Sequence, residues 1–495
     1  MSDPDGSSMP TRGDARRALP TRWAFLASAI GFALLAAGAG KPAVVPAELF
    51  VSPQGSDDGV CARTRPCLSF RRAYAVAKPG QTIEVAAGTY VAQTIEPDGA
   101  KASGDRVTFR PAAGGTVTVA DVDIRGASNI TFAGSGIGTG FVFGWWNARI
   151  GTRNVSFERM NTGGFDITSA SNISIIGGQV GPQHSGYDPQ INSGDDATNP
   201  TNIVIDGVLF RDIQRATSAD HTECLQIGAG INIVIKNSIF VQCSDHDLYF
   251  HPWHPVPGGQ LSNVTIENNF FAKTSIGFYN GQFARGYANC TNFTLKNNVM
   301  EQGWVFDCPS SNGAADPSVS NNYWIGDAPP GCGSVGTWRG NIFDAAPQRP
   351  CDSAQKIVKT ATQMGLKGSD ARRGLTKVRF LCGSQAEGAL VSVAACQLRA
   401  KQVTYRALLV AAPSGKLRFL KTTADRRSAS TPLPPEILTQ VALVGVGGRA
   451  KLQSRVEAFV EKWLERGRPA DGRFGTTRVR LYGDGLTWTL LLSPA

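Results

Sequence analysis

The sequence predicts an all-β solenoid, a chain of short strands wound into stacked coils. Three observations predict it. A unit of the form Asn-apolar-polar-apolar recurs at Asn129 (NITF), Asn154 (NVSF), Asn172 (NISI), Asn202 (NIVI), Asn232 (NIVI), Asn263 (NVTI) and Asn292 (NFTL), with gaps of 25, 18, 30, 30, 31 and 29 residues. A second signature follows each later unit: DGVLF from Asp206, KNSIF from Lys236, ENNFF from Glu267, KNNVM from Lys296, SNNYW from Ser320 and RGNIF from Arg339. A period of roughly 20–30 residues with a few short strands per unit means coils that bury their apolar faces on one another. Third, strict alternation sends Ile203 and Ile205 to one side and Asn202 and Val204 to the other. Ile233/Ile235, Val264/Ile266 and Phe293/Leu295 repeat the pattern. Coils stacked ~4.8 Å apart put these pairs in ladders inside a tube, with Asn at corners that need left-handed backbone. A β-propeller wants about four strands per 40–50 residues, which this spacing does not provide.

Taken in order, the chain opens with an export signal over 1–40. Arg16, Arg17 and Arg22 precede an uncharged apolar run, Trp23 to Ala39, ending in small residues. Secretion or cell-surface display follows; an uncleaved anchor is the alternative and the only membrane contact expected. Leu49-Phe50-Val51 reads as a strand. Ser69 to Lys78 reads as an amphipathic helix with Phe70, Ala73, Tyr74 and Ala77 on one face, stopped by Lys78-Pro79-Gly80. Thr82 to Ala86 reads as the next strand.

This opening and the repeats after it resemble the right-handed parallel β-helix proteins of the pectate-lyase-like superfamily, over roughly residues 47–350. The resemblance implies that the helix caps the open end of the tube. The superfamily includes pectate lyases, polygalacturonases, alginate epimerases and lyases, phage tailspikes and adhesins, so fold alone does not choose an activity.

After Cys351 the repeats stop. Residues 352–495 read as a basic α+β region, with helices at 353–366 and 449–466 and strands at 376–381, 403–411, 478–482 and 486–492. Two pieces joined at Ser428–Pro435 are one reading, and few contacts to the tube are expected. Of 49 basic and 39 acidic residues, 24 and 10 lie from 351 onward, leaving 25 and 29 before it. The net charge of +10 is therefore −4 for the solenoid and +14 for the tail. A basic surface favours polyanions, but a solvated charged face explains the tail better. No nucleic-acid partner is expected; a monomer is.

Ten cysteines in an exported chain suggest disulfides between neighbours. The pairs are Cys61–Cys67, Cys224–Cys243, Cys290–Cys308, Cys332–Cys351 and Cys382–Cys396. Six Asn-x-Ser/Thr triplets follow from the repeat itself, so they are weak signs of glycosylation.

Function concentrates in Asp220 to His254, DHTECLQIGAGINIVIKNSIFVQCSDHDLYFHPWH, which holds four of the chain's five histidines. Histidine titrates near neutrality, and crowding it with carboxylates suits acid–base work. A lyase or epimerase of uronic acids neutralises the carboxylate, removes the C5 proton and stabilises the anion. The candidate catalytic residues are His221, Glu223, Asp245, His246, Asp247 and His251. Tyr249 and Tyr279 offer proton donors, Lys273 and Arg285 clamps, and Trp253 a surface for a sugar ring. Glu223, Asp245 and Asp247 offer oxygen ligands to calcium. The hydrolase reading is weaker: of the polygalacturonase motifs only Gly194-Asp195-Asp196 occurs, and a surface turn explains it equally well. Acidic polysaccharide or a cell-wall polymer is the partner expected. A non-catalytic, adhesin-like polysaccharide-binding protein is the alternative, and inward-facing structural roles are open for every carboxylate in the patch. Two registers compete: one stacks His221 on His251 and Glu223 on Trp253, the other Glu223 on Asp247 and His221 on Asp245.

Overall fold

The structure is a computed structural model that describes residues 47–194, 198–251, 261–283, 290–305, 317–325, 337–339, 341–343, 356–357 and the helices and most strands from 368 to 494. The export signal lies outside the described residues. No helix among those described is long and apolar enough to cross a membrane.

The repeats form a parallel β-helix. Its 28 described strands make one all-parallel sheet that runs from Leu49–Val51 to Lys356–Ile357. The internal ladder runs as expected: Ile203 pairs with Ile233, Ile233 with Val264 and Val264 with Phe293, all at most 1 % exposed. Each repeat asparagine from Asn129 to Asn292 has a positive φ, between 54° and 61°, which Asn tolerates better than most side chains. Their amides then bond from coil to coil, Asn202 to Asn172, Asn232 to Asn202 and Asn263 to Asn232, each at 2.9 Å. These side chains are committed to the scaffold, which is a reason for the triplets other than glycosylation. A second, buried ladder links Asn269, Asn298, Asn322 and Asn341 through both backbone and side-chain amides at 2.9–3.1 Å.

The expected capping helix is Phe70–Val76, with Ser69 Oγ accepting the Arg72 N–H at 3.0 Å as N-cap. Phe70, Ala73 and Tyr74 are buried, and Phe70 meets Phe109 at 5.2 Å.

In each later coil, three strands follow one another. The strand Gly230–Lys236 holds the aliphatic ladder, and Ile239–Cys243 holds a stack in which Phe210, Phe240 and Phe271 lie 4.5 and 4.9 Å apart. The third is short: Gln190–Asn192, Gln226–Ile227, Leu248–Phe250 and Gly281–Phe283 pair in succession. It carries the site.

The C-terminal region corrects several expectations. Lys356–Ile357 is a strand paired with Ile342–Phe343, where a helix was expected. The rest of 353–366 lies outside the described residues. The helix is Gly368–Lys377, and the strand expected at 376–381 begins at Leu381. One seven-stranded antiparallel sheet joins segments from both sides of Ser428–Pro435, since Leu417–Arg426 pairs with Thr487–Pro494. This is one body, not two. It also touches the tube. Leu408 packs on an outward apolar cluster of Leu209, Ile239, Val241, Phe270 and Val299, and the Lys421 ammonium donates to the Asn297 carbonyl. Burial pulls that amine down to about 7.

Two expected disulfides are present, Cys61–Cys67 with Cα atoms 4.6 Å apart and Cys224–Cys243 at 5.3 Å. Cys396 is disulfide-bonded, and Cys382 is its cross-strand partner. Cys308, Cys332 and Cys351 lie outside the described residues. The Cys224–Cys243 bridge closes 19 residues of chain against 6 for Cys61–Cys67. Replacing both cysteines of the longer bridge with serine should cost about 3 kcal/mol, against about 2 for the shorter. Urea unfolding of the two variants checks this; an equal or smaller loss for the 224–243 pair would refute it.

Candidate functional site

The third strand of each coil builds a ladder on the outside of the tube. Asn147 pairs with Asp166, Asp166 with Gln190, Gln190 with Gln226, Gln226 with Tyr249 and Tyr249 with Gln282. Their neighbours Phe165, Ile167, Ile191, Ile227 and Phe250 point inward and are fully buried. Period two along each strand forces this split.

The reactive cluster sits beside Tyr249. Gln226 opposite Tyr249 sets Glu223 against His246, and the Cys224 N–H donates to the His246 carbonyl at 2.9 Å. Neither expected register holds. The offset is 23 residues, one short of the register that put Glu223 on Asp247. A one-residue slip moves every side chain to the opposite face. Glu223 Oε1 meets His221 Nδ1 at 2.5 Å and His246 Nδ1 at 3.2 Å, and His246 Nε2 meets Gln282 Oε1 at 2.8 Å. The Glu223 N–H donates to Asp188 Oδ1 at 2.8 Å. The His221 side chain is 50 % exposed and Glu223 only 1 %, so the imidazole faces solvent while the carboxylate holds it from behind.

Rings pack over this core. Tyr249 lies 4.8 Å from His246, 5.2 Å from His251 and 5.3 Å from His221. Phe278 stacks on His246 at 5.3 Å. Within this ring pile His221 is exposed, and Tyr249 and His251 are half-buried.

The electrostatics divide the groups sharply. Burial pushes Asp188 up, the Glu223 charge adds to it, and its carboxyl reaches about 9. Burial pushes Glu223 up too, but hydrogen bonds from His221, His246 and Asp188 outweigh it and hold it at about 2. Two facing carboxyls thus share one proton, which stays on Asp188. The hydrogen bond to Glu223 raises His221 above its usual value. Burial lowers His251 and raises the Tyr249 phenol.

Two expected catalytic residues are misplaced. Asp245 is fully buried, accepting from Arg215 at 2.5 Å and from the Thr222 N–H at 2.7 Å, so it anchors the loop that carries His221. Asp247 is fully buried, and neither oxygen accepts a hydrogen bond. Asp245 is taken up by Arg215 and Thr222, and Asp247 lies beside the Cys224–Cys243 bridge. The calcium set fails with them. Among the described residues, ligand atoms converge as His221–Glu223–His246 and as Cys224–Cys243–Asp247, never as Glu223–Asp245–Asp247. Calcium wants six or more oxygens; the first group offers two nitrogens already hydrogen-bonded to its one carboxylate, and the second is built on a disulfide.

Lys273 and Tyr279 are exposed on the loop between strands Phe270–Phe271 and Gly281–Phe283, and Phe278 is the residue of that loop that reaches the imidazoles. Trp253, His254, Arg285, Asp195 and Asp196 lie outside the described residues. The fifth histidine, His184, pairs with Asp212 at 3.0 Å. The sequence reading missed Asp188, Phe278 and the glutamines. A Gln-apolar pair recurs at Gln190-Ile191, Gln226-Ile227 and Gln282-Phe283, and it marks the ladder. Nothing local marks Asp188.

No family model matches the chain, and no curated protein matches it. Similar solved structures include these three. The A-module of a mannuronan C-5 epimerase from Azotobacter vinelandii is 15 % identical, with a TM-score of 0.31, over 55 % of this chain and 83 % of that one. ORF18 of Geobacillus virus E2 is 9 % identical, with a TM-score of 0.27, over 72 % and 73 %. The Dettilon tailspike protein is 9 % identical, with a TM-score of 0.25, over 83 % and 87 %. At these values the likeness carries no argument about function. The parallel β-helix rests on the strand register, and the chemistry on the cluster.

Proposed function

We propose that the protein acts on a uronic-acid-containing polysaccharide by proton transfer at C5, as a lyase or epimerase. The carrying observation is the hydrogen-bonded set Asp188–Glu223–His221/His246 beside an outward tyrosine on a polar ladder. His251, kept neutral, takes the C5 proton as the C5–H electron pair moves toward the carboxylate. The His221 imidazolium faces the negative charge that develops and returns a proton. Donated to O4 as the C4–O4 bond breaks, that proton gives elimination; donated to C5 from the opposite face, it gives inversion. Glu223 holds His221 charged and oriented, the proton on Asp188 keeps the pair of carboxyls from repelling, and Tyr249 spaces the imidazoles.

Incubation with a panel of polyuronates and mixed polymers tests this. Elimination gives ultraviolet absorbance from unsaturated ends; inversion in deuterated water gives deuterium at C5. Neither signal with any polymer, with binding intact, would leave the adhesin-like reading in its place.

The pH profile is expected to be a bell. Activity should fall as pH drops through the His251 value, below 6.5, because the base protonates. It should fall again as pH rises through the His221 value, above 6.5, because the acid is lost. A profile flat across pH 5–9 would refute the pair.

A further inference from the structure

The Glu223 carboxylate is shared by two imidazoles, and such a set can hold more than a proton. His221 and Glu223 lie two residues apart on one segment, and the coil register sets His246 against Glu223. One ring nitrogen of each histidine and one Glu223 oxygen lie within 4.8 Å of one another. The nitrogens that meet Glu223 Oε1 are both Nδ1, at 2.5 Å for His221 and 3.2 Å for His246.

Gln282 decides which way His246 presents its lone pair. Gln282 Oε1 lies 2.8 Å from His246 Nε2, and a carbonyl oxygen only accepts, so Nε2 carries the proton. A neutral His246 then turns its Nδ1 lone pair on Glu223 Oε1, and two acceptors 3.2 Å apart need a cation between them. A proton is one such cation; a metal ion is the other. Metal-binding histidines donate their far N–H to a fixed acceptor, which is the place Gln282 fills. Glu223 is backed in the same manner: Asp188 accepts its N–H at 2.8 Å and hydrogen-bonds its carboxylate.

The donor set selects the ion. Two imidazole nitrogens with one carboxylate oxygen suit zinc and its first-row neighbours, whereas calcium and magnesium want oxygen throughout. Zinc bonds of about 2.0–2.1 Å put tetrahedral ligand atoms about 3.3 Å apart. The His246–Glu223 pair is at that spacing already, and both side chains are buried, 2 % and 1 % exposed, so they are held in place. His221 has to turn from 2.5 Å to that spacing, and its side chain, 50 % exposed and outside the strands, has room to do so.

We propose that His221, Glu223 and His246 form a binding site for a divalent first-row transition metal, with Zn²⁺ as its probe. The ion takes the lone pairs that proton transfer uses, so the metal-free chain is the active form and the loaded chain the inactive one. That consequence rests on the proton-transfer reading; the site itself does not.

Calorimetric titration of the full chain with Zn²⁺, after chelator treatment and dialysis, tests the site. One equivalent should bind with a Kd of about 1 µM or tighter. His246→Ala should weaken it about 100-fold or more, and Gln282→Leu, which removes only the acceptor behind His246, about tenfold. If circular dichroism shows His246→Ala unfolded, His221→Ala takes its place with the same expected loss. Calcium in large excess should not compete. His184→Ala should leave the affinity in place, since His184 pairs with Asp212 instead. No bound equivalent, an affinity unmoved by either the ligand or the Gln282 variant, displacement by calcium, or a loss with His184→Ala would overturn the site. The two readings fail apart. Zinc bound with elimination or inversion undiminished overturns the inactive loaded form, whereas zinc bound to a chain whose metal-free form acts on no polymer sinks the proton-transfer reading and leaves the site standing.

Discussion

Glu223→Gln is expected to lower kcat by about 100-fold or more while the chain stays folded. The amide keeps the shape of the side chain and removes its charge. His221 Nδ1 at 2.5 Å and His246 Nδ1 at 3.2 Å both lose the carboxylate that orients them. His221 owes its raised pKa first to that hydrogen bond, so the alkaline limb of the pH profile should move down as well. Asp188 should move in the same direction, because part of its rise to about 9 comes from the Glu223 charge. Steady-state kinetics over pH 5–9 separate the two roles. A loss of activity with both limbs in place would mean that Glu223 only shapes the loop. Loss of the folded state would be visible in circular dichroism, and Glu223→Asp then serves as the second variant: it keeps the charge, so it should retain the alkaline limb at reduced rate.

The fold was legible because repeat asparagines and alternating aliphatics are local signals of a global geometry. Asn202, Asn232 and Asn263 each mark a corner, and the apolar pairs after them can only face inward. What failed was register. The chain between Gln226 and Tyr249 is 23 residues, the one before it 36 and the one after it 33, so the third strand has no fixed period to count from. A one-residue error there exchanged His246 for Asp247 as the partner of Glu223. Asp188 was missed for a related reason: it sits in a loop outside the repeats, and only folding brings it to Glu223. The doubled apolar residues in DGVLF, KNSIF and ENNFF held a further message. A strand with Phe240 inward and Ile239 outward is apolar on both faces and needs cover outside. That cover includes Leu408 of the C-terminal sheet, so the contact between tail and tube was written in the tube's own repeats.

Asp247→Asn is expected to stabilise the protein near neutral pH. Asp247 is fully buried, neither oxygen accepts a hydrogen bond, and burial followed by the charge of Glu301 raises its pKa well above the usual value. The sign follows from proton linkage. The unfolded carboxyl ionises near 3.9, whereas the folded one holds its proton to a higher pH, so between the two values folding takes up a proton. Where the folded state binds more protons, stability falls as pH rises. The penalty is absent below about pH 4 and grows by about 1.4 kcal/mol per pH unit until the folded group ionises. Asparagine carries no such proton. It occupies the same buried volume with a neutral amide, so the cost of burying a polar group remains and only the pH-dependent part is removed. Melting temperatures of the two proteins should therefore coincide near pH 4 and diverge upward, with the variant higher by several degrees at pH 7–8. A variant that melts lower at every pH, or in parallel with the parent, would show that Asp247 is charged or hydrogen-bonded in the folded chain.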